Sequence, residues 1–352
     1  PLVGGLVDLL NEKGISCFGP DKKAAIIEGS KVFSKNLMKK YKIPTAEYAV
    51  FENSADALSY LESASFPTVI KADGLALGKG VVIAENLSEA QNAVRSIMED
   101  KVFGKSGNEI VIEEYLEGPE VSVLAFTDGK TVVPMVSSMD HKRALDGDRG
   151  PNTGGMGTIA PNPYYTEEIA RECTEKIFLP TICAMRSEGR PFMGCLYFGL
   201  MLTEKGPKVI EYNCRFGDPE TQVVLPLLKT DLLEILLAVS QGRLADMKIE
   251  FEDGACCCVV LASNGYPAKY ETGFPITLPE VLSEGEEIFV SGAKEKDGRL
   301  VSAGGRVLGA CAKGKDLKEA IENAYRLSDR ISFENAYKRG DIGKRALSAL
   351  QK

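Results

Sequence analysis

The spacing of apolar residues divides the first part of the chain into alternating helix and strand patterns. Residues 2–10 carry apolar side chains at helical spacing, and the apolar run 15–18 is typical of a short buried strand. Ser30, a favoured N-cap residue, precedes a helix pattern over 31–41. The same criteria predict strands over 46–51, 68–71, 81–84, 109–115 and 120–126, and helices over 55–62 (capped by Ser54) and 88–98.

The second part of the chain repeats this mixture of patterns. A helix pattern covers 167–187, and two apolar strands, 194–203 and 208–212, form a hairpin pattern. Helical segments follow Pro219, and an acidic, polar stretch covers 247–254. Beyond it we predict strands over 255–262, 287–291 and 301–312, and a helix over 316–330. This order predicts an α/β and α+β multidomain protein.

One long segment, 140–163, shows no periodic pattern and contains five glycines and three prolines. Such a long loop inside a compact domain is usually functional or disordered. Its basic start, Asp140-His141-Lys142-Arg143, and the glycine-dense run 150–157 are suited to holding an anion on side chains and backbone amides together. The alternative is a mobile surface loop.

Composition and charge argue against several classes of function. The net charge is -8 and the pI is near 5.1, which argues against nucleic-acid and anionic-membrane partners. No apolar run approaches the ~18 residues of a membrane span. The nine cysteines include no C-x-x-C pair and mostly lie in apolar runs, which predicts buried free thiols in a reducing cytoplasm. The single histidine, His141, excludes histidine-rich zinc sites.

The sequence does not support three common functional motifs. The glycine-rich loop 73–80 is not a Walker A motif, because Gly80 stands where a Ser or Thr would hold magnesium. Residues 155–160 match G-x-G-x-x-A but lead into prolines instead of a helix, which argues against dinucleotide binding. No G-x-S-x-G elbow accompanies His141, so a serine hydrolase is disfavoured.

Two other patterns indicate phosphate and metal binding. Lys71 ends an apolar strand and precedes the loop 73–80, where exposed backbone amides and two lysines can enclose phosphates. Glu211 and Asn213 are two apart on a strand, so they share a face, and their oxygens suit Mg²⁺. The alternative for the loop 73–80 is a surface turn with solvated lysines, and the alternative for Glu211 and Asn213 is an exposed strand face.

The segment 214–220 (CRFGDPE) follows directly. Asp218 before Pro219 is suited to capping a helix, which alone would explain it. Arg215 is not explained by capping, and its guanidinium is suited to binding a carboxylate or phosphate in two-point fashion.

Taken in order, these segments resemble the ATP-grasp superfamily, and in detail they are similar to the phosphoribosylamine–glycine ligase family (glycinamide ribonucleotide synthetases). The segments that carry the resemblance are GSKVFSKNLM at 29–38, KIPTAEY at 42–48, KADGLALGKGV at 71–81, IEEYLEG at 112–118, DHKR at 140–143, GPNTGGMG at 150–157 and EYNCRFGDPETQ at 211–222.

The resemblance implies a ligase of purine biosynthesis. ATP would phosphorylate the carboxylate of glycine, and the amine of 5-phosphoribosylamine would attack the glycyl phosphate to give the amide, ADP and phosphate. ATP and Mg²⁺ (or Mn²⁺) would be the cofactors. We expect a cytoplasmic monomer that acts on these small molecules and binds neither nucleic acid nor membranes.

The resemblance also implies site residues. Catalytic roles fall on Arg215, Asp140 and Lys142, and metal binding on Glu211 and Asn213. Nucleotide contacts are implied for Lys35, Lys71, Gly74, Gly78, Lys79, Gly80, Glu113, Glu114, Tyr115, Leu116 and Glu120. Substrate contacts are implied for Asn152, Thr153, Gly154, Gly155, Met156, Gly157, Asp218 and Glu220.

The family's architecture implies three regions. We expect an ATP-grasp fold with the remnant of an N-terminal α/β domain at 1–33, an ATP-grasp domain at 34–246 with a nucleotide-covering lobe at 46–118, and a small C-terminal α+β domain at 247–352. The family's glycine-rich first βα turn is not present, so we expect that the N-terminal domain is shortened. Strand 194–202 also lacks the additional acidic metal ligand of many ATP-grasp enzymes, so the metal site would depend more on Glu211.

Two alternatives stay open from the sequence. One is an ATP-grasp ligase that joins a different carboxylate and amine. The other is a non-catalytic nucleotide-binding module, which would bind ATP without glycine-dependent turnover.

Overall fold

The computed structural model describes residues 1–75 and 80–351. Its helices are α1 (Leu6–Glu12), α2 (Ile26–Gly29), α3 (Lys31–Tyr41), α4 (Ser54–Leu61), α5 (Leu87–Val94), α6 (Glu167–Cys173), α7 (Leu179–Ser187), α8 (Thr221–Val224), α9 (Leu232–Ser240), α10 (Leu317–Ser328) and α11 (Lys344–Ala349). No helix in this part of the chain combines the length and apolar character that crossing a bilayer requires.

The strands, in chain order, are β1 (Tyr48–Phe51), β2 (Thr68–Ala72), β3 (Val81–Ala84), β4 (Ile110–Glu114), β5 (Glu120–Asp128), β6 (Val132–Pro134), β7 (Met139–Asp140), β8 (Arg143–Leu145), β9 (Arg149–Asn152), β10 (Gly157–Ala160), β11 (Met193–Thr203), β12 (Gly206–Asn213), β13 (Ala255–Ser263), β14 (Glu286–Val290), β15 (Ala293–Lys296), β16 (Arg299–Ser302), β17 (Arg306–Gly314) and β18 (Ala336–Tyr337).

The first sheet forms a small lobe with the antiparallel order β1-β4-β2-β3. Helices α4 and α5 cover one face, where Leu61 and Ala90 pack with Ile70 and Ile112 in a buried core. The helices therefore cover one face of the sheet and leave the other facing the rest of the protein.

The second sheet, of order β12-β11-β5-β6, lies at the centre of the molecule. Alternate residues of β11 face opposite ways, as strand geometry requires. Phe198 joins the core under α3 and α7, with its ring centroid 4.5 Å from that of Phe178. Tyr197 joins the core on the other face, which is completed by α9 and the third sheet. The β11–β12 hairpin and the helix pattern over 167–187, which continues from α6 through a π-helical turn into α7, are confirmed.

The third sheet has the order β14-β17-β13-β10-β7, and β18 also pairs with β13. The consecutive cysteines of β13 are buried free thiols, as predicted. The prediction that 140–163 lacks regular structure is wrong, because β7, β8, β9 and β10 lie within or at the edge of it. These strands are two to four residues long, too short to show a period, and β10 is stabilised by pairing with the distant β13. The sheet draws strands from both sides of residue 246, and the proposed domain division stays a prediction.

Four local predictions need correction. Residues 15–18 pair with no strand in the described part of the chain, and Ile15 is exposed. A short apolar run forms a strand only where a neighbouring strand is available to pair with its backbone. Helix α4 is capped by Asn53 instead of Ser54. Asp218 caps no helix, because α8 begins only at Thr221. The strand predicted over 301–312 is two strands, β16 and β17, separated by a turn.

Candidate active site

Three buried charged side chains meet where the small lobe contacts the central sheet. Glu113 Oε2 lies 3.1 Å from Lys35 Nζ and 3.0 Å from Lys71 Nζ, and all three side chains are at most 7% exposed. The strand register explains the second contact: Val69 of β2 pairs with Glu113 of β4, and Lys71 lies two residues further on the same face. Because unpaired buried charges are strongly destabilising, each member depends on the others.

Both lysines also reach across to the central sheet. Lys71 Nζ donates to the backbone carbonyl of Ile210, 3.1 Å away. Lys35 Nζ donates to Thr45 Oγ1 at 2.8 Å, and that hydroxyl donates to the carbonyl of Val209. The lysines therefore lie beside β12, the strand that carries the predicted metal ligands, while Glu113 Oε1 is buried without a hydrogen-bond partner in the described residues.

The pKa of Lys35 is lowered to about 8, chiefly because burial disfavours its charged form, and the nearby Glu113 only partly offsets this. A bound polyphosphate would raise that pKa again, since it adds negative charge beside the ammonium group.

We therefore expect ATP binding near pH 8 to take up protons from solution, because Lys35 is partly neutral before binding and charged afterwards. Calorimetry in buffers of different ionisation enthalpy measures this uptake. The proton uptake should vanish at lower pH, where Lys35 is already charged. It should also vanish in a Lys35→Met variant. Lys39→Met, on the exposed side of the same helix, is the matched control. Uptake that persists in Lys35→Met would contradict the assignment.

The glycine-rich loop is fixed at its start. Asp73 Oδ1 accepts hydrogen bonds from Ser30 Oγ and the Val32 amide, and Lys31 Nζ donates to the carbonyl of Gly74. Gly74 has a φ of 82°, which favours glycine. At the far end, the carbonyl of Gly80 accepts from the amide of Ala72. The predicted nucleotide contacts Gly78 and Lys79 lie outside the described residues.

Sequence analysis missed Lys31. It lies one turn before Lys35 on α3, a spacing that puts both side chains on one face of the helix, and this was the available signal. Burial and the neighbouring Lys71 lower the pKa of Lys31, while Glu211 opposes that change.

The segment after β4 was predicted to border the nucleotide. Glu114 points away from Glu113 and pairs with Lys208 at 2.6 Å. Tyr115 is exposed and Leu116 half-buried. Tyr115 and Leu116 come directly after β4, the strand that carries the buried Glu113.

The predicted metal ligands lie in the last residues of strand β12. Glu211 and Asn213 are half-buried, and the side chains of both are without a hydrogen bond or ion pair in the described residues. Tyr212 between them points the other way, into the core, where its hydroxyl lies 3.0 Å from Thr181 Oγ1. A carboxylate and an amide oxygen left free on one face fit a hard divalent cation. Within the described residues no group of three His, Cys, Asp or Glu side chains could hold a metal ion.

A second charged cluster lies around Lys142. Its Nζ is 3.1 Å from Glu120 Oε2, and this carboxylate is the main cause of a pKa well above the usual value for lysine. Burial, reinforced by Glu220, raises the pKa of Asp140 well above its ordinary range. Glu220 is held by Tyr197, whose hydroxyl donates to it at 3.1 Å.

The predicted substrate loop packs tightly against this cluster. Gly155 has a φ of 112°, and a Cβ there would lie 2.4 Å from Pro219 and 2.6 Å from Asp140 Oδ1. Thr153 Oγ1 donates to the carbonyl of Lys142 and accepts from the amide of Gly155. Of the other predicted contacts, Asn152, Gly154, Met156 and Gly157 lie along the same segment, where Met156 and Gly157 are buried.

Arg306 of the third sheet joins this loop to the segment that follows β12. It donates to the carbonyl of Gly154 at 2.7 Å and forms an ion pair of 2.8 Å with Asp218. Arg306 was not among the predicted site residues, because it lies in a different region of the sequence and contacts the loop only through tertiary packing. Arg215 is exposed and donates to the carbonyl of Phe216, so it contacts neither Glu211 nor Asn213 here.

Two antiparallel sheets that enclose a lysine–glutamate cluster beside a carboxylate–amide pair define this chain as an ATP-grasp enzyme, a class that uses ATP and a divalent metal. The fold is shared with biotin carboxylase from Campylobacter jejuni (15% identity, TM-score 0.75, covering 98% of this chain and 75% of that one). The chain belongs to the phosphoribosylglycinamide synthetase family: the family's ATP-grasp (A) domain matches residues 29–221 and its C domain residues 256–345.

Individual relatives agree with this family. Phosphoribosylamine–glycine ligase from Clostridium acetobutylicum is 52% identical over 98% of this chain and 82% of that protein. The trifunctional purine biosynthetic protein adenosine-3 of Gallus gallus is 48% identical over 99% of this chain, which matches 35% of its length. The crystal structure of phosphoribosylamine–glycine ligase from Thermotoga maritima has 40% identity and a TM-score of 0.86, covering 92% of this chain and 81% of that one.

Proposed function

We propose that this chain ligates glycine to 5-phosphoribosylamine. The glycine carboxylate attacks the γ-phosphorus of ATP, and ADP leaves. The amine of 5-phosphoribosylamine then attacks the acyl carbon of glycyl phosphate, and phosphate leaves with loss of a proton from the amine. The products are glycinamide ribonucleotide, ADP and phosphate. This proposal rests on the chain's membership of the phosphoribosylglycinamide synthetase family.

The phosphates of ATP would lie against Lys35 and Lys71. Glu113 Oε1, a buried acceptor without a partner in the described residues, is suited to a donor group on the nucleotide. Glu211 and Asn213 would hold Mg²⁺. When bound, this ion neutralises charge on the phosphate oxygens.

The charged cluster around Lys142, together with Arg215 and the loop 150–157, would bind the two remaining substrates. Lys142 keeps its proton firmly, which supports a role in neutralising the carboxylate or acyl phosphate. Arg215 is exposed, and among the described residues its guanidinium donates only to a backbone carbonyl, which supports a role in orienting glycine. Phosphoryl transfer of this kind depends on positioning and charge neutralisation, which this set of lysines, carboxylates and glycines can supply.

The test is ADP release with Mg-ATP, glycine and freshly generated 5-phosphoribosylamine, with each omitted in turn. The proposal requires turnover only when all three are present. Turnover with another amine would identify a different ATP-grasp ligase, and ATP binding without turnover would identify a nucleotide-binding module. The mass of the same sample in solution checks the expected monomer.

A further inference from the structure

His141 is the only histidine of the chain, and it is buried between the two charged residues of the second cluster. The amide of Gly343 donates to its Nε2 at 3.1 Å, and its Nδ1 lies 3.1 Å from the carbonyl oxygen of Gly157. A backbone amide can only donate and a carbonyl can only accept. The ring is therefore neutral, with its proton on Nδ1.

The bond to Gly343 belongs to a larger attachment, which we call the C-terminal clasp (residues 339–343). Arg339 is 1% exposed and forms ion pairs with Asp148 at 3.0 Å and with Asp341 at 2.7 Å. Its guanidinium also donates to the carbonyl of Arg143. Asp341 accepts in turn from the amide of Gly147. These bonds attach the segment 141–148 to the C-terminal clasp.

The opposite side of the same segment is the proposed substrate site. Asp140 and Lys142 flank His141 in the chain, and each of their charges influences the other. The amide of His141 donates to Gly157, and its carbonyl accepts from Met156. The backbone around Asp140 and Lys142 is therefore fixed by His141 on one side and by the substrate loop on the other.

We propose that His141 and the C-terminal clasp are positioning elements that set the direction of Asp140 and Lys142 for ligation. This rests on the proposed function, because Asp140 and Lys142 are assigned to the glycine and acyl-phosphate site. Burial, together with the positive charge of Arg339 and Arg345, lowers the pKa of His141 to about 4. The imidazole is thus a fixed neutral linker and not an acid or base of the reaction.

The first test is spectroscopic and needs no activity. Because the chain has one histidine, ¹⁵N-histidine labelling of the untagged protein gives signals from this ring alone. We expect a protonated Nδ1 and an unprotonated Nε2, with no titration around the pH of about 6.5 where free imidazole titrates. A ring that titrates there, or that carries its proton on Nε2, would overturn the proposal.

The second test compares His141→Leu, which loses both ring hydrogen bonds, with His141→Gln, which keeps an acceptor for the amide of Gly343. We expect kcat/KM for glycine to fall roughly 10–100-fold in His141→Leu, the range seen when groups that orient active-site residues are removed, and to recover partly in His141→Gln. The dissociation constant of ATP should stay unchanged. Thr127→Val, a buried hydroxyl deletion near the other end of β5, controls for lost stability. Unchanged kcat/KM, or an equal loss in Thr127→Val, would overturn the proposal.

Limited trypsin digestion separates this proposal from the proposed function. Cleavage after Lys142, Arg143 and Arg149 should be slow in the wild type and in Thr127→Val, and faster in His141→Leu. If the wild type fails to ligate glycine but the digestion pattern holds, the proposed function fails while the positioning of this segment by His141 stands. If digestion is equal in all variants, the positioning proposal fails regardless of activity.

Discussion

Replacing Glu211 by alanine should nearly abolish ligation while leaving the chain folded. Glu211 is half-buried at the end of β12, and its carboxylate has no partner in the described residues, so its removal leaves no buried group unpaired. We expect the free energy of unfolding to change by no more than about 0.5 kcal/mol, as for surface substitutions. Activity should fall on the order of 10³-fold, because a metal that stabilises the transition state contributes several kcal/mol.

The measurement is ADP release over a titration of Mg²⁺, together with thermal unfolding. Because Asn213 remains, high Mg²⁺ should restore part of the lost rate. Glu204→Ala, in the exposed turn of the same hairpin, is the matched control and should retain wild-type activity. Parallel losses of melting temperature and activity in Glu211→Ala would show that the side chain is structural instead of a metal ligand.

Replacing Glu113 by glutamine should have the largest effect on stability. The change removes the anion between Lys35 and Lys71 while keeping the shape of the side chain. Two buried ammonium groups would then face each other without compensation, and breaking a buried pair of this kind costs about 3–5 kcal/mol. We expect a loss of about 3 kcal/mol in the free energy of unfolding without nucleotide.

ATP should reverse part of that loss, because its phosphates supply the missing negative charge. The rise in melting temperature with saturating ATP should therefore be larger for Glu113→Gln than for the wild type. Glu114→Gln, the next residue of β4 on the exposed face, is the matched control. Equal stability of the two variants, or an equal ATP-induced rise in all three proteins, would contradict the assigned role of Glu113.

Local sequence signals predicted the elements that depend on local interactions. Helix α3 begins after its Ser30 cap and ends at Tyr41 as predicted, and β3 has the predicted bounds. The Lys35–Glu113–Lys71 cluster could be expected only in outline. The sequence indicated a buried lysine at the end of β2, but its carboxylate partner is set by the register between β2 and β4.

The features that escaped prediction are those decided by tertiary pairing. Strand β10 is a four-residue run in a glycine-rich segment and becomes a strand because β13 lies beside it. Arg306 reaches the substrate loop from β17, and Arg339 of the C-terminal clasp reaches the segment 141–148. None of these contacts has a periodic or short-range pattern in the sequence that could reveal it.

The C-terminal clasp has a consequence for how the protein is synthesised. The Gly343–His141 bond joins residues 202 positions apart, and the Arg339–Arg143 bond residues 196 apart. On the ribosome the small lobe and the central sheet can form early, since domains fold as they emerge. The segment around Lys142 stays without this support until residues 339–343 have left the exit tunnel. A chain interrupted before residue 339 would therefore lack the contacts that hold the proposed site of Asp140 and Lys142, although its small lobe and central sheet would be complete.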